Sequence, residues 1–507
     1  MKQKLTYITV LFLTLLSSFN IYGQGTSKQK ALKETTVTIE LLYPTKEQVT
    51  LTVSPIFKSK LNNEQQVFTF KPDNGKIKLS VLLDQVSSLD ISVGGDLFPT
   101  LRRGLINRAI WLEPEDDLTI SIPSSKSNID NGFIFKGKGS SKSTFIRKYG
   151  EFQERAIAPF KVSNPTLDQY GRFKSYTDQF DRTEYDLRLL RAIDSLEKVF
   201  QGKVSERFVK AFKAHCIGFI HYVPFGSGKQ PLEDPKYVKQ IRKLEQSFPA
   251  EKMASYLINF NSWDSFFINR ALVSYSLDRG LNDNYILWKD FNLVPSIISN
   301  YYKTSNFANQ LVYGYFRNLI GMKGISDSLV SSANKFIAER DQNDDNVKEL
   351  QSLISSAAIN QKTGAKAFPF SLKNEKKQTV NLSDFKGKVV LLDFMFFGCG
   401  GCAMMVPAME EVEKNFEGKD VVFISISIDP AFEKFKEGIG KFNSKGGVHL
   451  YTNGKGYNHE LIKHYAITGY PTLVLIDREG NLVNANAPRA DAHQKELIAM
   501  IDKALAQ

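Results

Sequence analysis

The spacing of hydrophobic residues changes twice along this chain, and the changes divide it into three parts. In residues 36–140 apolar and polar positions alternate, most clearly at residues 37–41, 77–81, 89–93 and 118–122. Alternation with a period of two residues buries one face of a β-sheet. We therefore predict that residues 36–140 form a β-rich domain, folded as an antiparallel β-sandwich.

In residues 141–360 the apolar positions recur every three or four residues, as amphipathic helices require. The clearest helical patterns lie at residues 185–200, 208–220 and 311–320. We predict an all-α region here, and we find no recognisable chemistry in its pattern. Cys216 lies among these apolar positions, which favours a buried thiol that acts as a small hydrophobic residue.

The last part of the chain has the pattern of an α/β domain. Residues 389–394 form an apolar run with one carboxylate, Asp393, and such a run is typical of an interior strand covered on both faces. Further predicted elements are a hairpin at 370–382, buried strands at 421–428 and 470–476, and a closing helix at 491–505. We predict a third domain at residues 361–507.

The first residues have the pattern of a targeting segment. Lys2 and Lys4 precede an uncharged apolar run, and small residues near Gly23 follow it, so we predict a cleaved signal peptide at residues 1–23. Its apolar core of about 12 residues is shorter than the roughly 20 that span a bilayer. An uncleaved N-terminal segment stays open as the one possible membrane association. Residues 24–35 are polar and predict a flexible leader.

Composition narrows the function classes. Hydrophobic residues make up 42% and charged residues 24% of 507 residues, which excludes collagen-like, coiled-coil and wholly disordered proteins. The net charge of +12 is spread thinly, with no basic stripe or aromatic platform, so we expect no nucleic-acid binding. Three cysteines in a chain of this length exclude a scaffold built on disulfides.

The chemistry lies in the motif Cys399-Gly400-Gly401-Cys402, between a predicted strand and a predicted helix. Two intervening residues on the first helical turn bring two sulfurs within disulfide reach. Unpaired N–H groups at a helix start favour thiolate over thiol. Cys399 is therefore the predicted nucleophile and Cys402 the resolving thiol. A zinc site would need two further ligands at regular spacing, which the chain lacks, so we predict no metal and no cofactor.

Three features together resemble the thioredoxin superfamily: the run at residues 389–394, the Cys-x-x-Cys motif, and Gly469-Tyr470-Pro471-Thr472. The preceding hairpin and the long segment between Cys402 and Pro471 resemble its exported TlpA/ResA-like thiol–disulfide oxidoreductases. The resemblance covers residues 361–507 only. It implies electron exchange with protein thiols and disulfides and an upstream electron donor. The upstream order of β-rich part and helices is similar to exported proteins of the Gram-negative cell envelope, which implies a periplasmic location.

The resemblance also implies roles for site residues. Pro471 would be a cis-proline facing the disulfide, and its placement would present the Tyr470 backbone to an extended substrate. Gly400 and Gly401, between the cysteines, would complete the substrate-binding surface. Asp393 would be the buried carboxylate beneath Cys402 that accepts its proton. A bond from Asp393 to backbone, with no catalytic role, is the alternative.

The motif also departs from the family pattern. Gly398 stands where Trp is usual, and Met404 and Met405 follow the second cysteine where the family has charged residues. These apolar surroundings indicate either a surface for an apolar partner or ordinary core packing. Two other functions stay open. One is a peroxiredoxin-type peroxidase, although those enzymes use a Thr-x-x-Cys motif. The other is a partner-binding module in which the thioredoxin-like domain only docks.

Overall fold

The computed structural model describes residues 32–507 except residues 57–65, 73–74, 94–95, 98–109, 125–131, 158–181, 223–224, 226–231, 258–263, 283 and 430. The predicted signal peptide and most of the predicted leader lie outside the described residues. Leu32–Gln507 form one compact unit. Within the part of the chain that the structure describes, no helix is long and apolar enough to cross a membrane.

Nine strands form two sheets in the first part of the described chain. They are β1 Lys33–Leu41, β2 Val49–Pro55, β3 Gln66–Phe70, β4 Lys76–Leu83, β5 Ser87–Val93, β6 Asp96–Leu97, β7 Ile110–Leu112, β8 Asp117–Ile122 and β9 Ile134–Lys138. One sheet has the order β4-β1-β8-β9, and the other has the order β3-β2-β5-β6 with β7 paired to β5. The alternating residues of both sheets share one hydrophobic core, to which β1 contributes Val37 and Ile39 and β2 contributes Leu51.

One strand pairing differs from the antiparallel arrangement expected from the sequence. β1 pairs in parallel with β8, with Val37 opposite Leu118, and antiparallel with β4. The first sheet is therefore mixed. Alternation shows which face of a strand is buried, but it is the same for either direction of the neighbouring strand.

The middle part of the chain is helical. Its α-helices are α1 Ser141–Ile157, α2 Arg182–Val199, α3 Glu206–Tyr222, α4 Pro235–Ser247, α5 Ala250–Leu257, α6 Asp264–Asp278, α7 Val294–Tyr301, α8 Ser305–Lys323, α9 Asp327–Ala338 and α10 Asp345–Asn360. Trp111 of β7 packs in one hydrophobic cluster with residues of α1, α2 and α3. A second cluster joins residues of α3 through α10 and includes Ala466, far along the chain, at its border.

The last part contains a seven-stranded sheet in the order β11-β10-β14-β13-β12-β15-β16. Its strands are β10 Ser371–Asn374, β11 Thr379–Asn381, β12 Val389–Met395, β13 Val421–Ser427, β14 Val448–Tyr451, β15 Thr472–Ile476 and β16 Leu482–Ala487. Its helices are α11 Gly400–Asn415, α12 Phe432–Gly438, α13 Glu460–His464 and α14 Ala490–Leu505. All seven residues of β12 are buried. β12 runs parallel to β13 and antiparallel to β15 at the centre of the sheet, as its apolar sequence indicates.

Candidate active site

The two motif cysteines lie where the central strand passes into a helix. β12 ends at Met395, and α11 begins at Gly400 with Cys399 as its N-cap residue. Cys399 and Cys402 form a disulfide with their Cα atoms 5.2 Å apart. The backbone N–H of Cys402 donates a hydrogen bond to Cys399 Sγ over 3.1 Å. A sulfur that accepts this bond at a helix start is stabilised as a thiolate once the disulfide is reduced.

The disulfide is shielded from solvent. Cys399 is 4% exposed and Cys402 is 1% exposed, and both belong to a small buried cluster with Met395. Phe442 and Tyr470 pack against this cluster. Cys399 is therefore the slightly more exposed of the two residues, and its role as the nucleophile stays a prediction.

The two glycines between the cysteines have different surroundings. A Cβ on Gly400 would meet no atom within 4 Å, so this position is open. A Cβ on Gly401 would lie 3.3 Å from Pro471 Cδ and 3.5 Å from the Tyr470 carbonyl oxygen. Gly401 therefore lets the start of α11 approach Tyr470 and Pro471 closely. Gly398, just before the motif, has a φ of +90°, which side chains other than glycine rarely adopt.

Pro471 and Tyr470 lie together beside the disulfide. The Tyr470–Pro471 peptide bond is cis, as the family resemblance implies. The Tyr470 ring packs edge-on against Phe396 at 5.6 Å and against Tyr457 at 5.8 Å between ring centroids. Burial raises the pKa of the Tyr470 hydroxyl, so it stays protonated. The structure thus brings Gly401, Tyr470 and Pro471 together at one edge of the redox motif.

Asp393 is buried in β12. It lies in register between Ser425 of β13 and Leu473 of β15, on the sheet face that α11 covers. Its Oδ1 has no hydrogen-bond partner within the described residues. Burial, and to a smaller extent the nearby Glu413 carboxylate, raise the pKa of Asp393 to about 7, although Arg489 acts in the opposite direction. The structure therefore places a carboxyl group that can exchange a proton near neutral pH under the helix that contains Cys402.

Asp429 is a site residue that sequence reasoning missed. It lies two residues after the end of β13, and its two carboxylate oxygens accept hydrogen bonds from the Phe397 N–H at 3.0 and 3.1 Å. Its Oδ2 also accepts the Ser427 hydroxyl hydrogen bond at 2.7 Å. Burial raises its pKa, and these hydrogen bonds act in the opposite direction. Asp429 fixes the short loop that precedes Cys399. The only sequence feature that indicates this role is a carboxylate just after the buried strand β13, which pairs with β12.

The apolar surroundings of the motif divide into core and surface. Met395 and Met405 are fully buried, so they are core residues. Met404, in the first turns of α11, is 69% exposed, and Tyr457 beside Tyr470 is 54% exposed. Ordinary core packing therefore holds for Met395 and Met405. A surface for an apolar partner at the exposed Met404 stays a prediction.

Within the described residues, no group of three or more His, Cys, Asp or Glu side chains could hold a metal ion. Cys216 is a free and fully buried cysteine in the helical part. Burial raises the pKa of its thiol, which makes it unreactive as a nucleophile. The fold and the cysteine pair together define a thioredoxin-like redox domain.

Comparisons with known proteins find similarity in the same part of the chain. Residues 363–485 match the AhpC/TSA family. The thiol–disulfide oxidoreductase ResA of Bacillus thuringiensis is 29% identical over 120 residues, which cover 24% of this chain and 66% of ResA. The thioredoxin-like protein YneN of Bacillus subtilis is 29% identical over 133 residues, which cover 26% of this chain and 75% of YneN. The chain thus spans about two thirds of the length of the ResA relative.

Among solved structures, the thioredoxin domain of a thiol–disulfide oxidoreductase from Bacteroides vulgatus is 28% identical, with a TM-score of 0.26. The match covers 28% of this chain and 98% of that domain. The family match, the curated relatives and the Cys399–Cys402 disulfide agree. The C-terminal domain is thioredoxin-like and is similar to thiol–disulfide oxidoreductases.

Proposed function

We propose that this protein is an exported thiol–disulfide oxidoreductase that reduces or exchanges protein disulfides through Cys399 and Cys402. One observation supports the proposal above the others. The pair forms a disulfide at the start of α11, next to cis-Pro471, with Cys399 Sγ accepting the Cys402 N–H. This arrangement favours the thiolate form of a nucleophilic cysteine and leaves a second thiol one turn away for release.

In the proposed reaction the Cys399 thiolate attacks one sulfur of a substrate disulfide. The substrate disulfide breaks, its other sulfur leaves as a thiolate, and a mixed disulfide forms with Cys399. Cys402 then attacks Cys399 Sγ and releases the second substrate thiol. Two electrons pass from the cysteine pair to the substrate, and the Cys399–Cys402 disulfide forms. An upstream thiol donor of unknown identity would return the pair to its reduced state.

Asp393 is the proposed acceptor of the Cys402 proton. Resolution needs Cys402 as a thiolate, and a buried thiol ionises only if its proton has an acceptor nearby. A carboxyl group with a pKa of about 7 is ionised for part of the time at neutral pH and can take that proton. Tyr470, with Gly400 and Gly401, is the proposed contact surface for the substrate backbone.

The peroxidase alternative receives no support from the residues around Cys399. Phe396 occupies the position where a Thr-x-x-Cys motif would have its threonine. Phe396 is half-buried and packs against the Cys399 cluster, so it offers no hydroxyl to a peroxide. Decay of hydrogen peroxide with the reduced protein, compared with reduction of a protein disulfide, separates the two activities.

Trapping variants test the proposed division of roles. Cys402→Ser should form stable mixed disulfides with substrate proteins, because the intermediate on Cys399 has no intramolecular thiol to release it. Cys399→Ser should form none, and the wild-type chain should reduce insulin in the presence of dithiothreitol. Alkylation and mass mapping should leave Cys216 unlabelled in the native protein. Equal trapping by both variants would reject the assignment, and binding without any turnover would support the docking module instead.

The domain organisation and location belong to the same proposal. We propose domains at residues 36–140, 141–360 and 361–507, the first a β-sandwich, after a signal peptide at 1–23 and a leader at 24–35. The shared core of the two upstream sheets supports a sandwich. Expression in a Gram-negative host, fractionation and N-terminal sequencing test export: periplasmic protein beginning near residue 24 is the expected result.

A further inference from the structure

The segment of residues 465–471, which includes cis-Pro471, lies between the helical part of the chain and the seven-stranded sheet. Ala466 packs against the hydrophobic core of the helical part, whereas the next residue, Ile467, belongs to the core of the thioredoxin-like domain. Consecutive residues of this segment therefore contact two different cores. Within this segment, the Tyr470 carbonyl oxygen faces Gly401 of the Cys-x-x-Cys motif.

Gly321 of α8 lies directly against this segment. A Cβ at this position would overlap Thr468 Oγ1 and would lie 2.8 Å from Thr468 Cβ and 2.9 Å from the Ala466 carbonyl oxygen. Glycine is therefore required for α8 to approach the proline segment this closely. The position lies within a helix, where glycine reduces helix stability relative to alanine, so the close approach explains the choice of residue.

Gln361, just after α10, joins the two parts through its side-chain amide. Its Nε2 donates to the Tyr465 carbonyl oxygen at 2.8 Å, and its Oε1 accepts from the Ile325 N–H at 3.0 Å. Gln361 is 8% exposed, so both hydrogen bonds are largely shielded from water. Buried hydrogen bonds to backbone fix the position of the chain, because breaking them leaves unpaired polar groups.

Ala466 has a backbone conformation that needs this support. Its φ is +51°, in the left-handed region that residues other than glycine rarely occupy. Such conformations persist only where the surrounding structure determines them. Here the surrounding structure includes α8 and the core of the helical part.

We propose that the helical part positions the segment 465–471 and thereby shapes the surface on which a polypeptide substrate binds beside Cys399, with Gly321 and Gln361 as positioning residues. The inference rests on the proposed function and assigns a role in it to the upstream helices. An extended polypeptide uses the backbone edge of this segment, whereas a small disulfide needs only access to the sulfur. The helical part therefore affects polypeptide substrates selectively.

Gly321→Ala tests the proposal, with Gly314→Ala as the matched control. Gly314 lies on the same helix and is also tightly packed, but its Cβ would meet the Asp264 side chain at 2.9 Å, within the helical part. Reduced protein is mixed with excess oxidised insulin or glutathione disulfide, and oxidation of the cysteine pair is followed by quenched alkylation. Varying the substrate concentration separates the half-saturating concentration from the limiting rate.

For Gly321→Ala we expect the half-saturating insulin concentration to rise about tenfold with a similar limiting rate, and the rate with glutathione disulfide to stay within about twofold. Gly314→Ala should match the wild type with both substrates. Equal losses with both substrates, or no loss with insulin, would overturn the proposal. Failure of the wild type with both substrates would instead reject the proposed function.

Gln361→Glu gives a second test, which removes one hydrogen bond without adding an atom at a tightly packed position. The carboxylate keeps the acceptor for Ile325 but cannot donate to the Tyr465 carbonyl oxygen. Gln342→Glu is its control, because Gln342 Nε2 donates to the Ile337 carbonyl oxygen at 2.7 Å within the helical part. We expect only Gln361→Glu to weaken insulin saturation selectively. Identical behaviour of the two variants would contradict the positioning role of Gln361.

Discussion

At the scale of single residues, the site depends on two buried carboxylates with different surroundings. Asp393 leaves Oδ1 without a hydrogen-bond partner within the described residues, whereas Asp429 accepts three hydrogen bonds from Ser427 and Phe397. A buried carboxylate without partners favours its neutral form, and one with partners can stay charged. Asp393 is thus suited to proton transfer and Asp429 to fixing a loop.

Asp393→Asn should stabilise the protein in a pH-dependent way. The folded-state pKa of about 7 lies above the ordinary value of 3.8, so ionisation of Asp393 opposes folding. The wild type and the variant should be equally stable near pH 4, and the variant should gain stability as pH rises to about 7, by roughly 4 kcal/mol at most. Denaturant melts across pH measure the difference. Asp502→Asn, at an exposed position of α14, is the control and should show no such trend.

Asp393→Asn should also slow resolution of the mixed disulfide and leave the first attack by Cys399 nearly unchanged. The asparagine amide cannot accept the Cys402 proton, but it does not alter the Cys399 sulfur at the helix start. Stopped-flow disulfide exchange separates the two steps. Resolution at the wild-type rate would mean that Asp393 is a structural residue.

Asp429→Ala should destabilise the protein and slow the first attack by Cys399. The change leaves the Phe397 N–H and the Ser427 hydroxyl without their acceptor in a buried place, which costs about 1–3 kcal/mol. Asp429→Asn keeps one acceptor oxygen and should lose less on both measures. Denaturant melts and single-turnover reduction of insulin provide the comparison. If alanine and asparagine behave alike, the hydrogen bonds to Asp429 do not position the loop.

The placements that could be predicted were those that depend on neighbouring residues in the sequence. The position of the cysteine pair at a strand–helix junction and the cis bond before Pro471 are of this kind. The contacts of Asp429 and Gln361 cross between elements that are distant in the chain, and no local pattern specifies them. The left-handed Ala466 was also beyond prediction, because its conformation depends on the packing of α8.

At the scale of elements, the first residues of α11 determine how closely this helix approaches Tyr470 and Pro471. Gly400→Ala adds a Cβ in open space, so we expect it to stabilise the helix by up to about 1 kcal/mol. Gly401→Ala adds a Cβ 3.3 Å from Pro471 Cδ, so Pro471 must move. We expect Gly401→Ala to lose that gain and to reduce insulin more slowly than Gly400→Ala. Melting temperature and insulin turnover measure both variants, and equal turnover would show that the close approach is unimportant.

Strands and helices with a strong hydrophobic periodicity could be predicted from the sequence, whereas those with a weak one could not. The alternating runs appear as β1, β4, β5 and β8, and the continuous apolar runs appear as β12, β13 and β15. The parallel pairing of β1 with β8 could not be predicted, because burial of alternate residues does not depend on strand direction. The short strand β14 and the short helices α12 and α13 were missed because four to seven residues give too little periodic signal.

At the scale of the whole molecule, the upstream parts are packed together through a buried polar junction as well as through apolar clusters. Lys142 of α1 donates to Asp116 Oδ2 at 2.6 Å and to Glu113 Oε2 at 3.3 Å, both from the loop between β7 and β8. Trp111 packs edge-on against Phe208 at 5.8 Å. We infer that the sheets and the first helices unfold together, because separating them would expose charged groups and an aromatic cluster at once.

Lys142→Met should destabilise the described chain by about 3–5 kcal/mol, because it leaves the buried Asp116 and the partly buried Glu113 without their cation. The loss should be smaller at pH 4 than at pH 8, since burial already raises the pKa of Asp116 and its protonation removes one of these charges. Adding Asp116→Asn should restore most of the stability. Lys148→Met is the control, because Lys148 pairs with Glu151 on the exposed side of the same helix and should change stability by less than about 1 kcal/mol. Denaturant melts followed by circular dichroism test this, and a separate early transition in the variant would show that the sheets and helices unfold independently.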